Sequence, residues 1–159
     1  MTRAAFIYAA MALLFAGGGA SLATGAEDNA WSVDKSREVR FAIVDIVVDS
    51  GTQPLAAYQV LFSAGSGARI VGIEGGEPNV FREPPHYDPK AIQGNRVILA
   101  AFTLATTEPL PKGKVRVATI HLQIQSGKTP RHQIKLQTAG GPEGAPLPAQ
   151  ASFSERNSR

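Results

Sequence analysis

The chain has no cysteine in its 159 residues. Neither a disulfide framework nor a cysteine-ligated zinc site can therefore be built, and the fold must hold by packing alone. No apolar run is long enough to cross a bilayer. Ala4–Ala16 supplies 13 apolar residues before Gly17–Gly19 interrupts it, where a span needs about 20. An excess of one charge is missing too: 16 basic residues stand against 13 acidic ones, scattered along the chain. That excludes the clustered basic footprint of a nucleic-acid binder. Aromatics make up only 7% of the chain, with a single Trp, which is thin material for sugar-stacking surfaces.

Catalytic patterns are also lacking. His86, His121 and His132 show no HxH or HExxH spacing. There is no GxSxG elbow, and Ala64-Gly-Ser-Gly67 reads as a turn. Glu74, Glu77, Glu83 and Asp88 crowd one region. Glycoside hydrolysis, however, needs two carboxyls held across a cleft at fixed separation, and crowding in a loop supplies no such geometry. Asp45 and Asp49 lie on one strand face without the dense oxygen ligands that calcium takes, and read as a solvated strand end. No enzyme activity, no metal and no cofactor is expected.

What is present begins with a leader. Arg3, the apolar run to Ala16 and a small-residue stretch with cleavage sites after Ala23 or Ala26 have the three-part layout of a secretory signal peptide over residues 1–26. The expected location is secreted or periplasmic. The mature chain is about 133 residues, enough for one modest core. The C-terminus ASFSERNSR has no anchor signal, and residues 155–159 read as a polar tail. Trp31, in the polar lead-in Glu27–Arg37, reads as a core or edge plug, with a sugar-stacking platform as the alternative.

From Ala118 the segment Lys114–Gln125 alternates without a break. Ala118, Ile120, Leu122 and Ile124 face one side, and Thr119, His121, Gln123 and Gln125 face the other, as a plain solvated sheet face would. Similar strands are predicted at Glu38–Ser50, Ala57–Ser63, Ala68–Glu74, Arg96–Thr103, Gln133–Thr138 and Ala149–Ser154, with Gly/Pro turns between them. Glu38–Ser50 is apolar on both faces, as a central strand is. Glu77–Asn95 carries Pro78, Pro84, Pro85 and Pro89, which exclude a regular ladder or helix through most of it. Phe81, Tyr87 and Ile92 argue that this long connection is packed down. The expected fold is all-β: a two-sheet antiparallel β-sandwich with jelly-roll or Greek-key connections and about eight or nine strands, occupying residues 27–154.

Three segments, FAIVDIVVDSGTQPLAAYQVLFS (Phe41–Ser63), NRVILAAF (Asn95–Phe102) and PLPKGKVRVATIHLQIQSG (Pro109–Gly127), resemble the cohesin family and its carbohydrate-binding-module-like relatives. Cohesin domains carry a similar VDVVVD-T/S-G-x-P-L opening that runs into Tyr-Gln, an FAAF strand and an LATI strand. Two features depart from that pattern: Ser63–Gly67 stands where cohesins have a Tyr-Asp-Pro turn, and the REPPHYDP insert has no counterpart. The resemblance implies a secreted, non-catalytic module for extracellular protein–protein assembly in a setting of polysaccharide processing. It also places the strands Ala57–Ser63 and Arg96–Thr103 in one sheet.

On that placement, Tyr58, Val60 and Phe62 inward put Gln59 and Leu61 outward. Val97, Leu99 and Ala101 inward put Ile98 and Ala100 outward. Gln59, Leu61, Ile98 and Ala100 are thus the candidate protein-binding face, unless the Glu77–Asn95 connection folds over it. The second candidate is a carbohydrate site in the loop, made by Arg82, His86, Tyr87 and Asp88. A purely structural envelope or matrix role is the third reading. The expected partner is an extracellular protein or a polysaccharide; nucleic acid and, once the leader is removed, a membrane span are not.

Overall fold

A computed structural model describes residues 38–104 and 108–157. The leader, Trp31 and the lead-in before Glu38 lie outside the described residues. Seven strands are formed: β1 (Val39–Asp49), β2 (Ala57–Ser63), β3 (Ala68–Gly75), β4 (Arg96–Phe102), β5 (Lys114–Gln125), β6 (Gln133–Gly140) and β7 (Gln150–Asn157). The described residues thus hold seven strands where eight or nine are expected. Apart from strands, the described residues form only three single 3-10 turns. All pairing is antiparallel, in a four-stranded sheet of order β3-β5-β1-β7 and a three-stranded sheet of order β4-β2-β6. Odd-numbered strands make one sheet and even-numbered strands the other, so each connection passes from sheet to sheet.

Period-two alternation decides which side chains meet. Ala42, Val44, Ile46 and Val48 of β1 are buried, and so are Tyr58, Val60 and Phe62 of β2, with Val97 and Leu99 of β4. They join Ile120, Leu122 and Ile124 of β5 in one core shared by both sheets. Burying each such aliphatic side chain is worth about 1.5–3 kcal/mol. β1 is the central strand that its two apolar faces predict, flanked by β5 and β7.

β5 holds a local irregularity. The register against β1 shifts between Ile46 opposite Ala118 and Val47 opposite Arg116, so Val117 is an extra residue. This bulge lets the odd-numbered Val115 and Val117 share the core with the even-numbered Ala118 and Ile120. The Val117 carbonyl at the bulge accepts a 3.0 Å hydrogen bond from the buried Tyr58 hydroxyl. Burial holds that phenol's pKa well above its ordinary value.

The outward face of β5 differs from the plain solvated sheet expected. Thr119 is only 1% exposed. Its hydroxyl accepts from Arg116 at 2.8 Å and donates to Asp45 at 3.1 Å. Asp45 is in turn gripped at both oxygens by Arg156, each contact 2.8 Å. Asp45 is therefore one member of a cross-strand network and not a solvated strand end, while Asp49 closes a turn by accepting from the Gly51 amide at 3.0 Å. The same contacts explain a second correction. Residues 155–157 are not a loose tail but continue β7, because Arg156 pairs with Asp45 and Glu155 with Arg40 at 3.2 Å.

The long connection is packed down, as its aromatics predict. Phe81 is buried and meets the Tyr58 ring edge-on at a centroid distance of 5.3 Å. Tyr87 and Ile92 pack against the core from its margin. Its backbone crosses Gly75 so closely that a Cβ there would collide with the Arg82 carbonyl. The connection then follows the sheet edges: Gln93 donates to the Ile70 carbonyl and Ile70 to the Gly94 carbonyl, both at 2.8 Å. His86 and Ala100 exchange backbone bonds of 2.8 and 3.0 Å along the outer edge of β4.

Candidate functional site

The outward face of the β4-β2-β6 sheet is the surface that the sequence singles out, and the register assembles it. Leu61 lies opposite Ile98, Gln59 opposite Ala100 and Ala57 opposite Phe102. The four expected residues, Gln59, Leu61, Ile98 and Ala100, are therefore two adjacent cross-strand pairs on one face. The long connection does not bury them. Ile98 is 46% exposed, and Gln59, Leu61 and Ala100 are half-buried, with Asp88, Lys90 and Ala91 of the connection bordering Leu61 and Ile98 from the β4 edge. The Gln59 side-chain amide donates to the Gln137 side-chain oxygen at 2.7 Å. Gln137 occupies the irregular position where β6 shifts register against β2.

The apolar surface extends further than the sequence reading placed it. Phe102 is 66% exposed and Leu104 84% exposed. Phe102 continues the outward column of Ile98 and Ala100 at period two, a signal present in RVILAAFT but read only as far as Ala100. Beyond it lies an open cavity of about 730 Å³, bounded by Ala57, Phe102, Leu104, Leu110, Glu108 and Glu143. Glu143 has φ 60°, a left-handed conformation uncommon outside glycine. At the opposite end, a smaller hollow of about 320 Å³ is bordered by Leu61, Ser63, Arg96, Gln133 and Lys135. The face is thus an apolar strip with carboxylates at one end and cations at the other.

The second candidate cluster is arranged differently. The Arg82 guanidinium is hydrogen-bonded to the Asn79 side chain. Asp88 caps a 3-10 turn by accepting from the Lys90 amide at 2.9 Å. His86 is held by its backbone to Ala100, and the Tyr87 ring is half-buried against the core. Each residue is engaged locally, and the ring most suited to stacking on a sugar does not stand free.

The remaining ionisable groups lie elsewhere. His132, with its side chain 3% exposed, has Nδ1 2.9 Å from the Ala64 carbonyl and Nε2 3.4 Å from Glu155. Its ring lies 5.7 Å from both Phe62 and Phe153. Glu74 lies 3.0 Å from His121 Nε2. Among the described residues, no three His, Cys, Asp or Glu side chains converge as metal ligands. No protein-family profile, curated protein or solved structure matches the chain.

Proposed function

We propose that this protein is an exported, non-catalytic binding module that docks an extracytoplasmic protein on the outward face of β4-β2-β6. The observation that carries the reading is the continuous apolar strip formed by Leu61, Ile98, Phe102 and Leu104. A contiguous exposed apolar surface on a flat sheet, rimmed by polar groups, marks a partner site. The resemblance to cohesins supports the same reading, since it implies a protein-assembly module and puts β2 and β4 side by side. We further read the two sheets as the layers of a jelly-roll sandwich. The sheet-to-sheet passage at each connection and the shared core support that architecture.

The test is capture of extracytoplasmic proteins by the purified module and by Leu61→Asp, Ile98→Asp and Phe102→Asp variants. The expected result is a specific partner retained by wild type and lost from all three. Equal capture by wild type and variants would refute the face. Export is checked by sequencing the N-terminus of the released protein, which is expected to begin at Thr24 or Glu27.

A further inference from the structure

The binding face carries a charge pattern that is complementary to itself. Arg96 and Lys135 border its Leu61 end, whereas Glu108 and Glu143 border its Phe102 end. Among the described residues none of these four side chains has an ion-pair partner. Asp88 also lies at the cationic end, beside Lys90, with one oxygen already taken by the Lys90 amide. From Arg96 to Phe102 the strand advances six positions, about 20 Å. The two charge clusters are therefore farther apart than a Debye length of about 8 Å at physiological salt. Each cluster is free to act on a separate part of an opposing surface.

We infer that the occupant of this face is a second copy of the chain, stacked face to face about a two-fold axis. The inference rests on the reading of β4-β2-β6 as the docking surface. A two-fold interface brings the same patch of both copies together, so the patch must complement itself. Two limiting axes lie in the plane between the stacked sheets. An axis along the strands sets the cationic end of one copy over the cationic end of the other, and like charges repel. An axis across the strands reverses strand direction. It sets Arg96 and Lys135 of each copy over Glu108 and Glu143 of the other, with Ile98 of one over Phe102 of the next. Electrostatics selects the second arrangement, and the apolar strip supplies the buried centre. The 730 Å³ hollow beside Phe102 then receives the Leu61–Arg96 end of the opposing copy.

Sedimentation velocity over a concentration series tests this, using protein purified from cells that express the full chain. Wild type is expected to show a monomer–dimer equilibrium that weakens in 1 M salt. Arg96→Glu/Lys135→Glu makes both ends acidic, and Glu108→Lys/Glu143→Lys makes both ends basic. Each variant alone is expected to lose at least about tenfold in self-association. Mixed one to one, they are expected to regain a dimer. Recovery in the mixture also shows that both variants are folded. A wild type that stays monomeric throughout, or charge variants that dimerise as wild type does, overturns the second copy as occupant. A monomeric wild type that still captures another protein, and loses it in Leu61→Asp, would leave the docking face standing while removing this occupant.

Discussion

Replacing Tyr58 by Phe removes one oxygen from the core and leaves the ring, with its edge-on contact to Phe81, in place. The lost hydroxyl is the donor to the Val117 carbonyl at the β5 bulge. Deleting a buried neutral hydrogen bond and stranding its acceptor costs about 1–2 kcal/mol, or about 4–8 °C in Tm for a domain of this size. The deficit should depend on pH in a particular way. Burial raises the Tyr58 pKa above its unfolded value, which is about 10. The stability tied to the protonated phenol is therefore fully present below pH 10 and is lost as pH climbs from there toward the raised folded value. Above pH 10 the unfolded phenol ionises first, and wild type loses about 1.4 kcal/mol per pH unit from this group. The Phe variant has no such loss, and other titrating groups cancel in the difference. Urea midpoints at pH 7, 9, 10 and 11 should show the variant less stable by 1–2 kcal/mol at neutrality, with the gap closed near pH 11. A gap that stays constant to pH 11 would show that folding does not hold that proton, and the account of the bulge would fall with it.

Gly75→Ala forces a Cβ into the Arg82 carbonyl. It should lower the urea midpoint by about 2 kcal/mol or more, with faster protease cleavage near Phe81 as the connection lifts. A double-mutant cycle on Asp45 and Arg156 should give a coupling of about 0.5–1 kcal/mol that shrinks in 1 M salt, since the arginine is half exposed. Ile98→Asp and Phe102→Asp should change stability by no more than about 0.5 kcal/mol, because both side chains face outward. Leu99→Asp, one position away in the core, should abolish cooperative thermal unfolding.

Much of this architecture was legible in the alternation of apolar residues. Period two places Val44, Val60, Leu99 and Leu122 in the core, and the same period places Leu61 and Ile98 on the surface. What the alternation hides is the partner of each polar residue. Thr119 and His121 look alike in a strand of polar-out residues. Only the register of β1 against β5, together with β7 alongside, brings Asp45 and Arg156 to Thr119. The end of β7 was illegible for the same reason: SERN has no apolar period, and it is held by ion pairs to β1, more than a hundred residues away. The β5 bulge did leave a trace. In Lys114–Gln125 the apolar positions switch from odd to even between Val117 and Ala118, and a strand can keep both sets in one core only by inserting an extra residue. Phe102 follows Ile98 and Ala100 at period two, so its outward position is legible in RVILAAF as well.

The sheet edges are treated differently from the β4-β2-β6 face proposed as the docking surface. An exposed edge strand presents unpaired amides and carbonyls that invite further strand pairing. Here the proline-rich connection occupies one side of the molecule, bonding to Ile70 on β3 and to Ala100 on β4. On the other side, Phe153 of β7 packs edge-on against Phe62 at 6.2 Å and beside His132, while Glu155 reaches Arg40. The Phe153 contacts, with Glu155 3.4 Å from His132 Nε2, set side chains across the gap between β7 and the β6 side of the second sheet, while the Arg40 contact stays within the first sheet. The outward face of β3-β5-β1-β7 carries the Arg116–Thr119–Asp45–Arg156 network, in which Asp45 pairs with Arg156 and Arg116 lies 3.8 Å from Glu77. The β4-β2-β6 face has the opposite character, with apolar side chains in register along its middle and charges at its ends that find no partner among the described residues. A protein that docks here gains by burying Ile98 and Phe102 and by pairing charges that are otherwise only hydrated.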